Sequence, residues 1–254
     1  MKKVSKLFDI RSNEYKDIYN ESHSKKLLHQ EKKVRATIVE NLVINYLSSI
    51  NKGVVVDVGC GMGNVLLNLR KNGVRAKMYG ADISQDMIRL ANQNQEQSGY
   101  KDINFIAGSV EDIKVSANIV LSLGVIGYNE KQEELLAELS SLVDSKGYLI
   151  FTTANGDSFL RLARRYLSKL HSFVTGKTKS KGVEFFPIKN KQVESVLTQH
   201  GFKVQKKVYI TFGLGLFASS IECSIDRWLF KHFSNSFIGK YLSLSVIYVY
   251  KRID

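Results

Sequence analysis

Val54-Val55-Val56-Asp57-Val58-Gly59-Cys60-Gly61-Met62-Gly63-Asn64 is the stretch that decides the fold. A β-branched run ends in a tight glycine turn, and the amphipathic segment Val65–Lys71 follows at once. That order predicts a buried strand, a loop whose backbone amides approach a ligand, and a helix whose N-terminus points to the same place. Glycine is required in such a turn because a Cβ would block the approach or forbid the backbone angles. Asp82 closes the next apolar run, 19 residues after Gly63. A carboxylate at that distance is placed to accept both ribose hydroxyls of an adenosine.

Working outward, apolar runs at Val54–Val58, Lys77–Asp82, Ile103–Ala107, Asn118–Leu123 and Tyr148–Thr153 alternate with helical patterns. Short continuous apolar runs between amphipathic helices predict a parallel sheet buried on both faces, hence a doubly wound α/β fold. Ser84 is a candidate N-cap for a helix over Gln85–Gln95, with Met87, Ile88 and Ala91 on one face. Glu133–Leu142 places four leucines on one side, and Glu31–Ile50 reads as a long helix ahead of the first strand. After residue 155 the alternation is interrupted, then resumes with a helix at Lys191–His200, Gly201 as its stop, and a strand from Phe202. Ser243–Tyr250 closes the β-rich pattern. With one proline and no low-complexity linker, the 254 residues read as one domain. Its parts are an N-terminal helical cap over 1–50, a core over 51–155, and insertions at 156–187 and 211–242.

Composition narrows the function. The opening residues turn polar before any apolar stretch develops, unlike a signal peptide, and no run is long enough to span a membrane. Cys60 and Cys223 have no metal-ligand spacing and no His/Asp/Glu cluster marks a metal, so free thiols in the cytosol and no metal are expected. The net charge of +13 is concentrated: residues 160–207 carry 12 basic against 2 acidic side chains, while 41–159 carry 10 against 13. A local basic surface points to an anionic partner or to a solvated lysine-rich face.

A dinucleotide fingerprint, G-x-G-x-x-G, requires glycine where this chain has Asn64; here the pattern is G-x-G-x-G with Asp57 two residues ahead. S-adenosylmethionine carries no pyrophosphate, but it has an ammonium that a carboxylate such as Asp57 can anchor. Asp57-Val58-Gly59-Cys60-Gly61-Met62-Gly63-Asn64, followed by Gly80-Ala81-Asp82-Ile83-Ser84 and Met87-Ile88…Ala91, closely resembles the class I S-adenosylmethionine-dependent methyltransferases. The resemblance covers residues 35–155 well and implies a Rossmann-like, seven-stranded, mainly parallel sheet with its last strand antiparallel. It implies S-adenosylmethionine as cofactor and S-adenosylhomocysteine as product. Cofactor contacts are implied for Asp57, Gly59, Cys60, Gly61, Gly63, Asp82, Ile83 on adenine, and Val110 through its backbone. Ser109 stands where the family often has Asp, and Ser122-Leu123-Gly124 resembles the loop under the methionine part, which brings in Leu123.

The layout resembles small-molecule O-methyltransferases such as those of ubiquinone and magnesium-protoporphyrin biosynthesis, so a small or lipid-like acceptor and an oxygen target are expected. By that resemblance Tyr15, Tyr19 and Arg35 would cover the cofactor. Leu123–Asn129 holds no proline, unlike the Asn/Asp-Pro-Pro-Tyr/Phe motif of amide and base methyltransferases. Tyr128 lies in that loop as a weak catalytic candidate, a positioner more readily than a base at an unperturbed pKa near 10. Phe159, Leu162, Ala163, Tyr166, Leu167, Leu170, Phe173 and Val174 recur at helical spacing, with Arg161, Arg164, Arg165 and Lys169 off that stripe. Such a basic amphipathic helix over 159–181 suits peripheral contact with anionic membrane at the inner face, or packing of its stripe in the core. The alternatives are an RNA methyltransferase using 160–207, with nucleic acid the less favoured partner, and a non-catalytic S-adenosylmethionine-binding partner protein.

Overall fold

The computed structural model describes residues 27–48, 53–164, 185–213 and 220–254, together with Lys6, Asp9 and Tyr166. In chain order the elements are α1 (Leu27–Leu47), β1 (Val54–Val58), α2 (Asn64–Lys71), β2 (Lys77–Asp82), α3 (Gln85–Gln97), β3 (Ile103–Ala107), β4 (Ala117–Ser122) and α4 (Gln132–Ser141). They continue with β5 (Val143–Ala154), α5 (Asn190–Gln199), β6 (Phe202–Ile210), α6 (Ser220–Phe233), α7 (Phe237–Leu242) and β7 (Ser245–Arg252). The seven strands form one sheet in the order β3-β2-β1-β4-β5-β7-β6. The first five run parallel to their neighbours, and β7 is antiparallel to both β5 and β6.

The apolar runs are continuous because both faces of the sheet are buried. Val56, Val120, Leu149, Phe151 and Tyr248 point into one core, which is closed by Leu135, Leu136 and Leu139 of α4 and Val193 and Leu197 of α5. Their neighbours Val55, Ile119, Leu121, Ile150 and Val249 point into the other, closed by Val39, Leu42 and Val43 of α1 and Leu66 and Leu69 of α2. Alternate residues of one strand thus serve opposite cores, the arrangement expected of βαβ crossovers. Strand order reverses between β1 and β4, so the crevice at their carboxyl ends is the topological switch point where ligands of such folds bind.

Two stretches of the expected pattern are displaced. β5 begins at Val143 rather than Tyr148, because Val143 already pairs with Ala117; the register then shifts to Ile119–Tyr148 past the left-handed Lys146 (φ 59°). The stripe beginning at Phe159 is not turned into the core over its described part: Phe159, Leu162 and Tyr166 are exposed. Arg161, expected on the solvent side, is instead half-buried, donating from Nε to the Asn155 carbonyl (3.2 Å) and from Nη2 to the Leu244 carbonyl. Its guanidinium caps strand-end carbonyls that no apolar residue can satisfy. Residues 165 and 167–184 lie outside the described part.

Candidate functional site

The glycine loop crosses the carboxyl end of β1. Gly59 N and Cys60 N both donate to the Ala81 carbonyl (2.7 and 3.0 Å), and Gly61 N donates to Asp82 Oδ2 (2.9 Å), so the loop is tied to the end of β2. Asp82 Oδ1 accepts from Ser84 N at 2.9 Å. Ser84 Oγ in turn accepts from Met87 N (3.2 Å), capping α3, and donates to Asp9 Oδ1 (2.5 Å). One carboxylate therefore fixes both the glycine loop and the start of α3.

The three loop glycines serve different ends. At Gly59 a Cβ would sit 2.1 Å from Val125 Cγ2, and at Gly63 2.5 Å from Phe105 Cζ, so both are packing positions. At Gly61, whose φ is +53°, a Cβ would meet nothing within 4 Å. The loop is packed from beneath and open at its middle glycine.

Asp57, in the strand that feeds this loop, is 2% exposed, and its Oδ1 has no hydrogen-bond partner among the described residues. Burial, with the Asp82 charge adding to it and Arg35 opposing, pushes its carboxyl up to about 7. Asp82 is raised as well, by burial first, against the hydrogen bonds from Ser84 N and Gly61 N and with Asp9 adding to the rise. The Cys60 thiol is driven up by its own burial and then by both carboxylates. Arg35 reaches over from α1: its Nη1 lies 2.9 Å from where a Cβ on Gly124 would stand. Gly124 N donates to Thr152 Oγ1 of β5 at 2.8 Å, which holds that turn at the end of β4. Two buried carboxylates face one another's charge at the switch point and Arg35 offsets only that of Asp57, so the crevice has an electrostatic place for a further cationic group.

Asp57, Gly59, Cys60, Gly61, Gly63, Asp82, Ile83, Arg35 and Leu123 thus belong to one crest of the sheet. Ser109 and Val110 open a short 3-10 turn after β3, held to that crest by Gly108 N donating to the Asp82 carbonyl (2.9 Å). The Ser109 hydroxyl is engaged with Asp112 Oδ2 at 3.2 Å. Tyr128 ends a 3-10 turn after β4, and its ring stands edge-on to Phe185 with centroids 5.0 Å apart. Tyr15 and Tyr19 lie outside the described residues.

Several residues of the region carried no sequence signal. Gln132 bridges the loop after β4 to the first insertion, donating to the Ile126 and Phe186 carbonyls (3.2 and 2.7 Å). Asn155, fully buried, donates from Nδ2 to the carbonyls of Lys240 and Ser243 (2.7 and 3.0 Å), joining the ends of the two insertions. Phe105 underlies both Gly63 and Gly80. No group of three metal-binding side chains occurs among the described residues, and no helix there is long and apolar enough to cross a membrane.

A family model described as a methyltransferase domain matches residues 50–201. The chain is 29% identical over 114 residues to a malonyl-[acyl-carrier protein] O-methyltransferase of Halalkalibacterium halodurans, covering 42% of this chain and 41% of that protein. It is 25% identical over 131 residues to a ubiquinone biosynthesis O-methyltransferase of Rickettsia canadensis, covering 51% and 54%. The chain thus spans about half the length of these curated relatives. Its fold is similar to that of a magnesium protoporphyrin IX methyltransferase from Synechocystis PCC 6803 crystallised with S-adenosylhomocysteine (TM-score 0.67, 19% identity, 98% of this chain and 97% of that one).

Proposed function

Because this chain belongs to the methyltransferase-domain family, matched over residues 50–201, we propose that it transfers a methyl group from S-adenosylmethionine to an oxygen of a small or lipid-like acceptor. The observation that carries the reading is the buried, unpartnered Asp57 Oδ1 in the strand that feeds the open turn at Gly61. Both features suit this cofactor: Asp57 offers an unpaired oxygen to an ammonium, and the space at Gly61 admits a ligand against the backbone. When bound, S-adenosylmethionine supplies a sulfonium methyl group open to in-line displacement.

In this reading Asp57 binds the ammonium and Arg35 the carboxylate beside it. Asp82 keeps lone pairs for the ribose hydroxyls, since each oxygen accepts one backbone N–H. Ile83 packs on adenine, Ser109 and Val110 meet its edge, and Gly59, Cys60, Gly61, Gly63 and Leu123 form the floor, with Tyr15 and Tyr19 as cover. Tyr128, at the mouth of the loop after β4, orients the acceptor. Residues 1–254 act as one domain, with the acceptor held between 156–187 and 211–242. A contact of 159–181 with anionic membrane at the inner face belongs to the same proposal. The relative named for ubiquinone biosynthesis supports a small-molecule acceptor over RNA.

Thermal melting with added ligand tests the assignment. S-adenosylmethionine and S-adenosylhomocysteine should raise the melting temperature and NAD should not. A rise with NAD alone would overturn it.

A further inference from the structure

The two insertions leave and rejoin the sheet at the same place. Ala154, the last residue of β5, pairs with Ser245, the first of β7, so residues 155–164 and α7 flank one another at the carboxyl edge of the sheet. This edge also carries the glycine loop. Apolar side chains that a folded chain would ordinarily bury are exposed here. Phe159 is 61% exposed, Leu162 51%, Tyr166 71%, Phe237 73% and Ile238 49%. They are contiguous across the two segments: Phe159 stacks on Tyr241 with centroids 5.2 Å apart, and Phe237 meets the same ring edge-on at 5.1 Å. A cluster of this kind marks an interaction surface rather than scattered surface apolarity.

The charge around it selects the partner. Arg164 and Lys231 are exposed, and Lys240 Nζ lies 5.2 Å from the Tyr241 ring centre. The nearby described carboxylates are turned inward. Asp157 accepts from Asn190 N and Nδ2 (2.9 and 2.6 Å), and Asp226 accepts from Phe212 N and Gly213 N (2.5 and 3.1 Å). What faces outward is aromatic and cationic together. Aromatic rings sit at the headgroup level of a bilayer, and lysines and arginines gain from anionic lipid.

We infer that Phe159, Leu162, Tyr166, Phe237 and Ile238, ringed by Arg164, Lys231 and Lys240, dock the protein on an anionic lipid bilayer with the cofactor edge of the sheet toward the membrane. This dock refines the membrane contact of the proposed function and rests on that reading for its purpose, delivery of an acceptor from the bilayer to the strand ends. Arg161 fixes the orientation, since its bonds to the Asn155 and Leu244 carbonyls hold the 159–164 turn with its apolar side out.

Flotation of the full chain with vesicles tests the inference. Phosphatidylcholine–phosphatidylglycerol vesicles should bind it at least ~10-fold more tightly than phosphatidylcholine alone, and binding should weaken with added salt as the field is screened. Phe159→Ser/Phe237→Ser should lower the partition ~10-fold, the side chains being exposed in the unbound protein and buried only on docking. Arg164→Glu/Lys240→Glu should lower it similarly without altering melting. Equal binding to both vesicle types, variants that bind as wild type, or binding to a single-stranded oligonucleotide but to neither vesicle would overturn the inference. A dimer in light scattering that Phe237→Ser dissociates would do the same. S-adenosylmethionine affinity measured on the same variants separates the outcomes: intact cofactor binding without vesicle binding rejects the dock alone.

Discussion

Adding one methyl group at each glycine of the loop separates a position that must stay open for a ligand from those that must stay small for packing. In Gly61→Ala the new Cβ enters empty space, and the cost to the fold is that of a non-glycine residue at φ +53°, about 1–2 kcal/mol. For a chain of this size that lowers the melting temperature by roughly 2–8 °C. Gly59→Ala carries a similar backbone cost at φ +79° and also drives a methyl group to 2.1 Å from Val125 Cγ2. Overpacking of that kind adds about 1–3 kcal/mol, so the drop should be clearly larger. Cofactor binding should follow the opposite order relative to stability: Gly61→Ala, the milder change for the fold, should weaken S-adenosylmethionine at least ~10-fold, or about 1.4 kcal/mol. Melting scans and isothermal calorimetry on the folded variants measure both quantities. If Gly61→Ala binds as wild type, or destabilises as much as Gly59→Ala, the opening at Gly61 is not where the ligand lies and the reasoning fails.

Three further outcomes follow from the same contacts. Asp57, with its folded carboxyl raised to about 7 from an ordinary 3.8, takes up a proton on folding; stability from this group is greatest at low pH and is lost as pH rises from about 4 to 7. Asp57→Asn should therefore be less pH-sensitive in melting over that window, and wild-type S-adenosylmethionine binding should release a proton near pH 6–7, seen as a buffer-dependent calorimetric enthalpy that the variant lacks. Asp82→Ala should cost roughly 1.5–3 kcal/mol of cofactor affinity, together with some stability from the stranded Gly61 and Ser84 amides; unchanged affinity in calorimetry would remove Asp82 from the site. Asn155→Ala leaves the Lys240 and Ser243 carbonyls without their buried donor and should destabilise by about 2–4 kcal/mol in denaturant melts, whereas a cost below about 0.5 kcal/mol would mean the two insertions are held otherwise.

The nucleotide-binding half of the fold was legible because its signals are local. The first four apolar runs became strands within a residue, since a strand buried on both faces permits few polar side chains. Ser84 caps its helix as its position suggested. The glycine loop and Asp82 share one hydrogen bond because a tight turn and the next strand end are forced together by parallel pairing. What escaped the sequence is contact made at long range. That Gly59 faces Val125, that Phe105 underlies Gly63, and that Asn155 ties residues 240 and 243 depend on the packing of distant segments, and periodicity carries no trace of it. The orientation of the helical segment 159–164 was left open by the sequence for a related reason. An apolar stripe at helical spacing says which residues share a face, but only long-range bonds to the Asn155 and Leu244 carbonyls draw Arg161 inward and leave Phe159 exposed.

The long-range contacts also join the two halves of the proposed reaction. The loop after β4 does not end in solvent: the Gly127 carbonyl accepts from Phe186 N at 2.7 Å, and Gln132 pins Ile126 and Phe186 together. A side chain on Gly127 would strike Phe185 at 2.5 Å, so the first insertion is seated directly on the turn that presents Tyr128. That same insertion begins at Asn155, whose amide holds the end of the second. β5, which feeds it, steadies the end of β4 through Thr152 and Gly124, beside Arg35. A shift in either insertion must therefore move Tyr128 or strain β5, because each link is a short hydrogen bond to backbone with no slack between packed strands. On the proposed function, acceptor recognition and cofactor geometry would be coupled through this seam, from Arg35 and Gly124 across Thr152 to Asn155. Substitutions that reshape the insertions should alter the apparent cofactor affinity even where they touch no cofactor atom.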